Sequence, residues 1–242
     1  MLMRLRPPRV NKKIKAILKN GTGIIENISA SGGFLKTVEK IPDENFDIKL
    51  KLMGRRTIKI NCEPQWYNES GIGFKVSRIE NSKQEFFNQY IENQLQALKI
   101  YGERRVFTTE ILVTLKDTNV FGNVYFSNFI EYQGIIREKF LLSAVPDLHE
   151  MLARTSIRLV TVDTYNKYIS NAYFGDTLLV ELTTSEINAA TSRMNITFIN
   201  KATGELIGQG YQRFCVVSAT GKVMRIPDEF LRPLDFYEEV EN

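Results

Sequence analysis

The residues with the clearest chemical potential lie in one run, residues 117–140, where a polar loop leads into an apolar helix. The loop ends at Gly122 and Asn123, and the pattern predicts that the helix begins directly after them. The first N–H groups of a helix have no acceptor within the helix, so they attract a carbonyl oxygen that gains negative charge. The run therefore predicts an oxyanion hole.

Two polar residues interrupt this predicted helix. Glu131 and Arg137 stand among the apolar residues Val124, Phe129, Ile130, Ile136, Phe140 and Leu141. A polar side chain in such surroundings requires a partner or solvent, so either residue is a candidate for function. Two structural interpretations stay open. Asp-Thr-Asn at 117–119 is also an ordinary capping sequence, and Glu131 and Arg137 also fit a pair with each other.

The run resembles the hot-dog-fold acyl thioesterases of the 4-hydroxybenzoyl-CoA thioesterase group, especially the enediyne-polyketide branch with its Asp-Thr-Asn-x-x-Gly-Asn-Val-Tyr motif. The resemblance continues through 153–163, 174–176, 194–200, 208–217 and 226–227. It implies that residues 103–242 form an antiparallel sheet wrapped around a central helix. It further implies hydrolysis of an acyl thioester of coenzyme A or an acyl carrier protein, and a homodimer or homotetramer with sites at the subunit interface.

The resemblance also assigns catalytic roles. Asn119 occupies the position of the catalytic carboxylate of the broader group, as in the enediyne branch, and would orient the thioester or water by hydrogen bonds. The N–H near Phe126 would polarise the carbonyl, and Arg137 would supply positive charge, so that preorganised electrostatics drive the reaction. Glu131 is a candidate substitute base. Phe129 stands where the enediyne branch uses a Tyr.

Other chemistries lack their residues. The one histidine, His149, lies in a stretch typical of a surface loop or short helix, which argues against a dehydratase. Cys62 and Cys215 belong to different halves and predict buried thiols, with neither a disulfide nor a metal site. The sequence contains neither a Gly-x-Ser-x-Gly elbow nor a phosphate-binding Gly-x-x-x-x-Gly-Lys loop. Catalysis is therefore expected to need no cofactor and no metal.

Length and charge divide the chain near residue 102. A chain of 242 residues favours two domains, here 1–102 and 103–242. The first range contains 18 Lys and Arg against 10 Asp and Glu, whereas the second contains 14 against 18. No long apolar segment is present, so the sequence predicts a cytoplasmic protein without membrane insertion.

Residues 1–102 alternate in the manner of β-strands at 14–18, 23–27, 46–52, 57–62 and 71–76, separated by turns such as 20–21 and 54–55. From 83 to 100 the apolar residues follow the i, i+4 spacing of a helix, with Ser82 as the N-cap. We therefore predict a small antiparallel β-barrel closed by one helix, followed by the sheet and central helix of the second domain, an α+β protein.

An anion site is predicted in the basic half. Arg4, Arg6 and Arg9 offer guanidinium forks that suit phosphates and guanine edges, and a turn at 27–33 offers short polar donors beside glycines. A solvated tail beside an ordinary hairpin turn is the open alternative.

The motif Asn27-x-Ser29-x-x-Gly32, followed by Gly71-Ile-Gly-Phe-Lys-Val and a closing helix, resembles a PilZ domain. Such domains typically bind cyclic di-GMP. The resemblance implies that this dinucleotide binds Asn27, Ser29 and Gly32 together with the arginines Arg4, Arg6 and Arg9, and regulates hydrolysis. The PilZ pattern Arg-x-x-x-Arg places its first arginine on Leu5, so a non-binding PilZ domain stays open.

Two further functions stay open. The C-terminal domain is alternatively a catalytically silent acyl-binding or oligomerisation module in a cyclic di-GMP signalling adaptor, which the absence of a carboxylate at Asn119 favours. Nucleic-acid binding by the basic barrel is disfavoured, because its positive residues are spread over strands and tail, and Trp66, Tyr67 and Phe74 fit core positions.

Overall fold

The computed structural model describes residues 8–38, 43–53 and 56–239. The described part divides into two compact units, one that ends at Gly102 and one that comprises Glu103–Glu239. Each unit has its own antiparallel β-structure. Arg4, Arg6 and the predicted turn at 54–55 lie outside the described residues.

The first unit is a closed six-stranded barrel with the strand order β1-β2-β3-β6-β5-β4. Its strands are β1 (Ile14–Ile17), β2 (Thr22–Ser29), β3 (Gly32–Lys36), β4 (Phe46–Leu52), β5 (Arg56–Asn68) and β6 (Gly71–Ile79). Apolar side chains fill the barrel because they alternate along each strand; in β4 every second residue from Phe46 is buried. The predicted antiparallel barrel is confirmed.

Strand β3 occupies a position where the sequence predicted a turn. Gly32 and Gly33 open this strand, and the turn itself consists of Ala30 and Ser31. A Cβ on Gly32 would lie 2.4 Å from the carbonyl oxygen of Phe74. The glycine therefore permits a close approach of neighbouring strands, which is a tertiary requirement that a turn-like composition does not reveal.

Helix α1 (Gln84–Tyr101) follows the barrel and buries Phe87, Tyr90, Ile91, Gln94 and Ala97 at helical spacing. The prediction that Ser82 caps this helix is wrong. Ser82 lies in a 3-10 turn, Asn81–Lys83, and the cap position is Lys83, which makes no side-chain capping bond. The helix ends at Gly102, whose φ of 79° suits a glycine.

The second unit is a five-stranded antiparallel sheet with the order β7-β9-β10-β11-β8. Its strands are β7 (Phe107–Leu112), β8 (Ile157–Tyr168), β9 (Thr177–Ser185), β10 (Thr191–Asn200) and β11 (Leu206–Ser218). Its helices are α2 (Asn128–Ala144), α3 (Leu148–Thr155) and α4 (Asp228–Phe236). Neither β9 nor α4 was predicted from the sequence.

Helix α2 packs on one face of this sheet. Alternate residues of β9, β10 and β11 are buried, which is the pattern of a sheet covered on one side. The ring of Phe129 on α2 meets Phe198 of β10, and Phe140 meets Phe107 of β7. The predicted combination of an antiparallel sheet and a central helix is confirmed.

Candidate active site and barrel site

The loop before α2 is a small closed hairpin. Thr118 pairs with Val124, the N–H of Asn119 donates to the carbonyl of Asn123 at 2.9 Å, and Gly122 donates to the carbonyl of Asn119 at 2.9 Å. Gly122 has a φ of 81°, which a side chain would strain. The predicted helix start after Asn123 is therefore wrong, and Val124 belongs to the hairpin. The helix begins at Asn128.

Asn119 holds the turn of this hairpin. Its Oδ1 accepts the N–H of Phe121 at 2.8 Å, the local bond that Asn forms readily with a residue two positions on. Among the described residues, none accepts a hydrogen bond from its Nδ2. The side chain therefore organises the loop through its oxygen and keeps a donor for another group.

The N-terminal end of α2 carries donors without acceptors. Within residues 8–38, 43–53 and 56–239, no group accepts the N–H of Phe126 or of Ser127. The carbonyl of Phe126 accepts the hydroxyl of Tyr168 at 3.0 Å, which anchors the backbone at this point. Two free N–H groups at the positive end of a helix form a site for a developing oxyanion.

Asp117 fastens the hairpin to the helix. Its buried Oδ2 accepts both the N–H of Thr114 at 2.8 Å and the Thr114 hydroxyl at 2.7 Å. Its carbonyl accepts the N–H of Tyr125 at 2.9 Å and the Nδ2 of Asn128 at 2.6 Å. Burial opposes ionisation, but the bonds from Thr114 and the nearby Tyr132 hydroxyl outweigh it and lower the pKa of Asp117. Burial, reinforced by this carboxylate, raises the pKa of Tyr132.

Arg137 lies farther along α2 and contacts the sheet. Its Nη1 donates to Oε1 of Gln212 at 2.8 Å and to Oγ1 of Thr161 at 2.9 Å. The interpretation that Glu131 pairs with Arg137 is wrong, because Glu131 is exposed and faces Lys116 at 3.5 Å. No carboxylate in the described part of the chain pairs with Arg137, so its positive charge is positioned by neutral groups only.

The structure brings only some of the predicted residues together. Asn119 and Phe126 lie at the same end of α2, whereas Arg137 is nine residues beyond Asn128, about 13 Å along the helix axis. Glu131 lies between them with its charge toward solvent. One chain therefore does not place Asn119, Phe126 and Arg137 around a single thioester.

Several polar residues that connect α2 to the sheet were not found by sequence reasoning. The fully buried Gln133 donates to the carbonyl of Tyr165 at 3.0 Å and accepts the hydroxyl of Thr164 at 2.7 Å. Gln212 is also buried, and its Oε1 accepts the hydrogen bond from Arg137 on α2. A glutamine at an inward position of an otherwise apolar strand or helix is the signal that would have indicated both.

An aromatic wall lies beside the hairpin. Phe129, at the position where the resemblance places a Tyr, is buried, and its ring centroid lies 5.3 Å from that of Phe198 and 5.5 Å from that of Tyr168. The ring of Phe126 meets Tyr168 edge-on and lies 4.7 Å from that of Tyr125. Flat apolar groups pack well on such a surface.

The barrel brings four of its six predicted ligand residues together. Arg9 Nη1 donates to Oδ1 of Asn27 at 3.1 Å. The buried Ser29 donates to the carbonyl of Gly32 at 3.0 Å and accepts the N–H of Ser31 at 3.3 Å. The arrangement positions one guanidinium beside a narrow polar turn, and Arg4 and Arg6 lie outside the described residues.

The remaining candidate residues are one histidine and two cysteines. His149 is exposed on α3. Burial raises the pKa of the Cys62 thiol, while Cys215, expected to be buried, is partly exposed because it lies on the outer face of β11. The described residues contain no group of three potential metal ligands. None of the helices in the described ranges combines the length and the apolarity needed to cross a membrane.

Comparisons with known proteins concern the second unit. Residues 113–234 match the thioesterase-like superfamily. The dynemicin thioesterase, whose crystal structures concern polyene binding, is 28% identical, with 56% of this chain and 99% of that chain covered and a TM-score of 0.52. A 1,4-dihydroxy-2-naphthoyl-CoA thioesterase from Synechocystis is 23% identical, with 53% and 95% covered and a TM-score of 0.50.

A third similar structure is a hypothetical protein from Staphylococcus aureus solved in complex with CoA. It is 15% identical, with 57% of this chain and 88% of that chain covered and a TM-score of 0.50. None of the curated proteins matches the sequence.

Proposed function

Because the chain belongs to the thioesterase-like superfamily and is an acyl thioester hydrolase with a hot-dog fold in its second unit, we propose that its substrate is an acyl thioester of coenzyme A or of an acyl carrier protein. The barrel is proposed to regulate this hydrolysis. The observation that carries the catalytic part is the pair of free N–H groups at the start of α2, next to a hairpin ordered by Asn119.

In the proposed mechanism the thioester carbonyl lies against the N–H groups of Phe126 and Ser127. These donors stabilise the oxyanion that forms when water attacks the carbonyl carbon, and they are already in place before the reaction begins. The free Nδ2 of Asn119 orients the thioester or the water. The thiol of the carrier leaves as the tetrahedral intermediate collapses.

Arg137 is proposed to act across a subunit interface. Arg137 lies about 13 Å along α2 from its first residue, so we expect a second copy to bring its own Arg137 to the hairpin. The Arg137 guanidinium donates to Gln212 and Thr161 and pairs with no described carboxylate. Its positive charge therefore suits a phosphate or a developing oxyanion.

The proposed dimer uses strand β8, which is an edge of the sheet. Its exposed apolar side chains are Val160, Val162, Tyr165 and Tyr168, and Ile169 follows directly. An edge strand of this length with an apolar surface favours pairing with another chain. A homodimer or homotetramer would cover the strand and complete the site.

Regulation is proposed to occur through cyclic di-GMP at the barrel. The Arg9 guanidinium and the polar turn of Asn27, Ser29 and Gly32 offer a charged fork and a backbone without side-chain obstruction. Those features suit a phosphodiester and a guanine edge. Arg4 and Arg6 are the further arginines proposed for this ligand.

The first experiment measures free thiol released from a panel of acyl-CoA thioesters by the full chain, with and without cyclic di-GMP. Turnover that changes with the dinucleotide supports both parts of the proposal. Turnover that does not change when cyclic di-GMP is added contradicts the regulatory part. Absence of turnover with every acyl-CoA and with acyl carrier protein substrates would contradict the catalytic part. It would favour the alternative, a catalytically silent acyl-binding module.

A further inference from the structure

Four lysines form a patch on the outer surface of the barrel. They are exposed because the residues next to them in each strand point into the barrel core. Strand β4 lies between β1 and β5, so the four side chains are neighbours. This lysine patch consists of Lys15 on β1, Lys49 and Lys51 on β4, and Lys59 on β5.

The strand register places these lysines opposite each other. Lys49 pairs directly with Lys59. Strands β1 and β4 pair in a register that brings Lys15 opposite Lys51. Opposite residues of neighbouring strands have Cβ atoms about 5 Å apart, and like charges at such positions destabilise a sheet. A surface with two such pairs side by side is therefore suited to a partner of opposite charge.

Carboxylates compensate little of this charge. Nζ of Lys59 lies 2.6 Å from Oδ2 of Asp47. In the ranges that the structure describes, no carboxylate pairs with Lys15, Lys49 or Lys51. The surrounding half of the chain is basic as well, since residues 1–102 contain 18 Lys and Arg against 10 Asp and Glu. The lysine patch therefore presents a concentrated positive charge to solvent.

The chemistry of the lysine patch favours an acidic protein over a nucleic acid or a membrane. Trp66 and Tyr67, exposed aromatic side chains of β5, lie at the far end of that strand, about 20 Å or more from Lys59. No stacking platform for nucleobases therefore accompanies the lysines. The outward neighbours Asp47 and Thr57 are polar, so they provide no apolar anchor for a membrane. Ammonium groups on flexible stems suit carboxylates.

The spacing of the lysines fits an acidic helix. Lys49 and Lys51 are two residues apart on one strand, a separation of about 6.8 Å. Carboxylates four residues apart on a helix are about 6 Å apart along the helix axis. A helix that lies along β4 can therefore place one carboxylate against each of these two lysines. The lysines of β1 and β5 contact acidic residues on either side of it.

We propose that the lysine patch is a docking surface for an acidic acyl carrier protein that brings the acyl thioester to this chain. The inference rests on the proposed hydrolysis of a carrier-bound acyl group, and it selects the protein carrier over coenzyme A. Complementary charges at an exposed surface mainly increase the rate of encounter. The lysine patch should therefore affect KM and kcat/KM while leaving kcat unchanged, and added salt should weaken its contact.

The test reverses the two central charges of the lysine patch. Lys49→Glu/Lys51→Glu places carboxylates opposite the lysines of β1 and β5, so we expect this patch variant to fold. Lys99→Glu/Lys222→Glu is the matched control, because it makes the same change of charge at exposed positions outside the lysine patch. Circular dichroism establishes that both variants are folded.

Two measurements compare these variants with the wild-type chain. Calorimetric titration with octanoyl acyl carrier protein gives the Kd, and thiol release from octanoyl acyl carrier protein and from octanoyl-CoA gives kcat and KM. We expect the Kd and KM for the carrier protein to rise roughly 10- to 100-fold in the patch variant and to stay within about twofold in the control. The kcat/KM for octanoyl-CoA should stay within about twofold in both variants.

The outcomes separate docking from hydrolysis. An unchanged Kd and KM for the carrier protein in the folded patch variant would overturn the docking surface while hydrolysis stands. Carrier binding that the patch variant loses, without turnover of either thioester, would support docking and contradict the proposed hydrolysis.

Two further results would overturn the carrier protein as the partner. One is turnover of octanoyl-CoA by a wild-type chain that does not bind the carrier protein. If that chain instead binds phosphatidylglycerol vesicles and the patch variant does not, the lysine patch contacts a lipid surface. The other is a wild-type chain that neither binds the carrier protein nor hydrolyses either thioester, which would contradict docking and hydrolysis together.

Discussion

Arg137 of helix α2 and Gln212 of strand β11 form a hydrogen bond of 2.8 Å that fixes a guanidinium without neutralising it. A carboxylate at position 212 would hold the same group and cancel its charge. The neutral partner therefore preserves a positive charge at a defined place on the sheet. We propose that this charge is kept for a ligand and is not used for stability.

Replacing Gln212 by Glu tests this distinction. We expect Q212E to lower kcat/KM by about 100-fold, similar to R137A, because the charge no longer serves the substrate. Gln209→Glu adds the same charge at an exposed position of the same strand and should stay within about twofold of wild type. If folded Q212E keeps the wild-type kcat/KM, the proposal that Arg137 acts on the substrate is wrong.

Asn119 is expected to serve both the loop and the reaction. Asn119→Ala removes the acceptor of the Phe121 N–H, so we expect a loss of about 1 kcal/mol in unfolding free energy and at least tenfold lower turnover. Asn119→Asp keeps that acceptor and adds a carboxylate. It should hydrolyse acyl-CoA faster than wild type, with an acidic limb in its pH profile near the pKa of an aspartate. Unchanged turnover in N119A would show that Asn119 only shapes the loop.

The N–H of Phe126 can be removed separately from its ring. Phe126→Pro deletes the donor, and Phe126→Ala keeps it while deleting the aromatic side chain. We expect kcat to fall about 100-fold in F126P, the cost of one oxyanion-hole donor, and less than tenfold in F126A. Circular dichroism and thermal melting establish that both variants fold. Equal kcat in the two variants would contradict the oxyanion role.

Asp117 should make the second unit sensitive to acid. The folded-state pKa of Asp117 lies below its ordinary value of 3.8, so its stabilisation is complete above about pH 4 and is lost as pH falls through the lowered pKa. We expect Asp117→Asn to be less stable by about 1–2 kcal/mol near neutral pH, and the difference to shrink near pH 3. Urea unfolding at both pH values measures it. The exposed Glu131→Gln is the control and should change stability by less than about 0.5 kcal/mol.

Two glycines of the second unit should respond to alanine in opposite ways. A Cβ on Gly210 would lie 2.3 Å from the carbonyl oxygen of Tyr165 and 2.4 Å from Nε2 of Gln133, so G210A should destabilise the fold by about 1–3 kcal/mol. A Cβ on Gly134 in α2 meets nothing within 4 Å, so G134A should stabilise by about 0.5–1 kcal/mol. Urea denaturation followed by circular dichroism distinguishes the two. If G210A is as stable as wild type, the Gln133 side chain can leave its observed position without loss of stability.

Local patterns were sufficient for much of the fold. The alternation in residues 46–52 predicted β4 with its observed bounds, because one face of a barrel strand is apolar whatever its partners are. The apolar spacing of 83–100 likewise predicted α1 to within one residue at each end. In the candidate site only the proximity of Asn119 and Phe126 was predictable, since a short loop keeps residues that are close in sequence together in any fold.

The sequence by itself determined that a basic strand-rich half precedes an acidic half, and that a polar loop with donors precedes an apolar helix, although it placed the start of that helix directly after Asn123 instead of at Asn128. Only the tertiary structure decided that residues 118–124 close into a hairpin, that Gly32 begins a strand, and that Arg137 binds Gln212 instead of Glu131. The physical reason is separation along the chain. Arg137 and Gln212 are 75 residues apart, and their contact depends on which strand lies next to α2. Composition and periodicity carry no information about that choice.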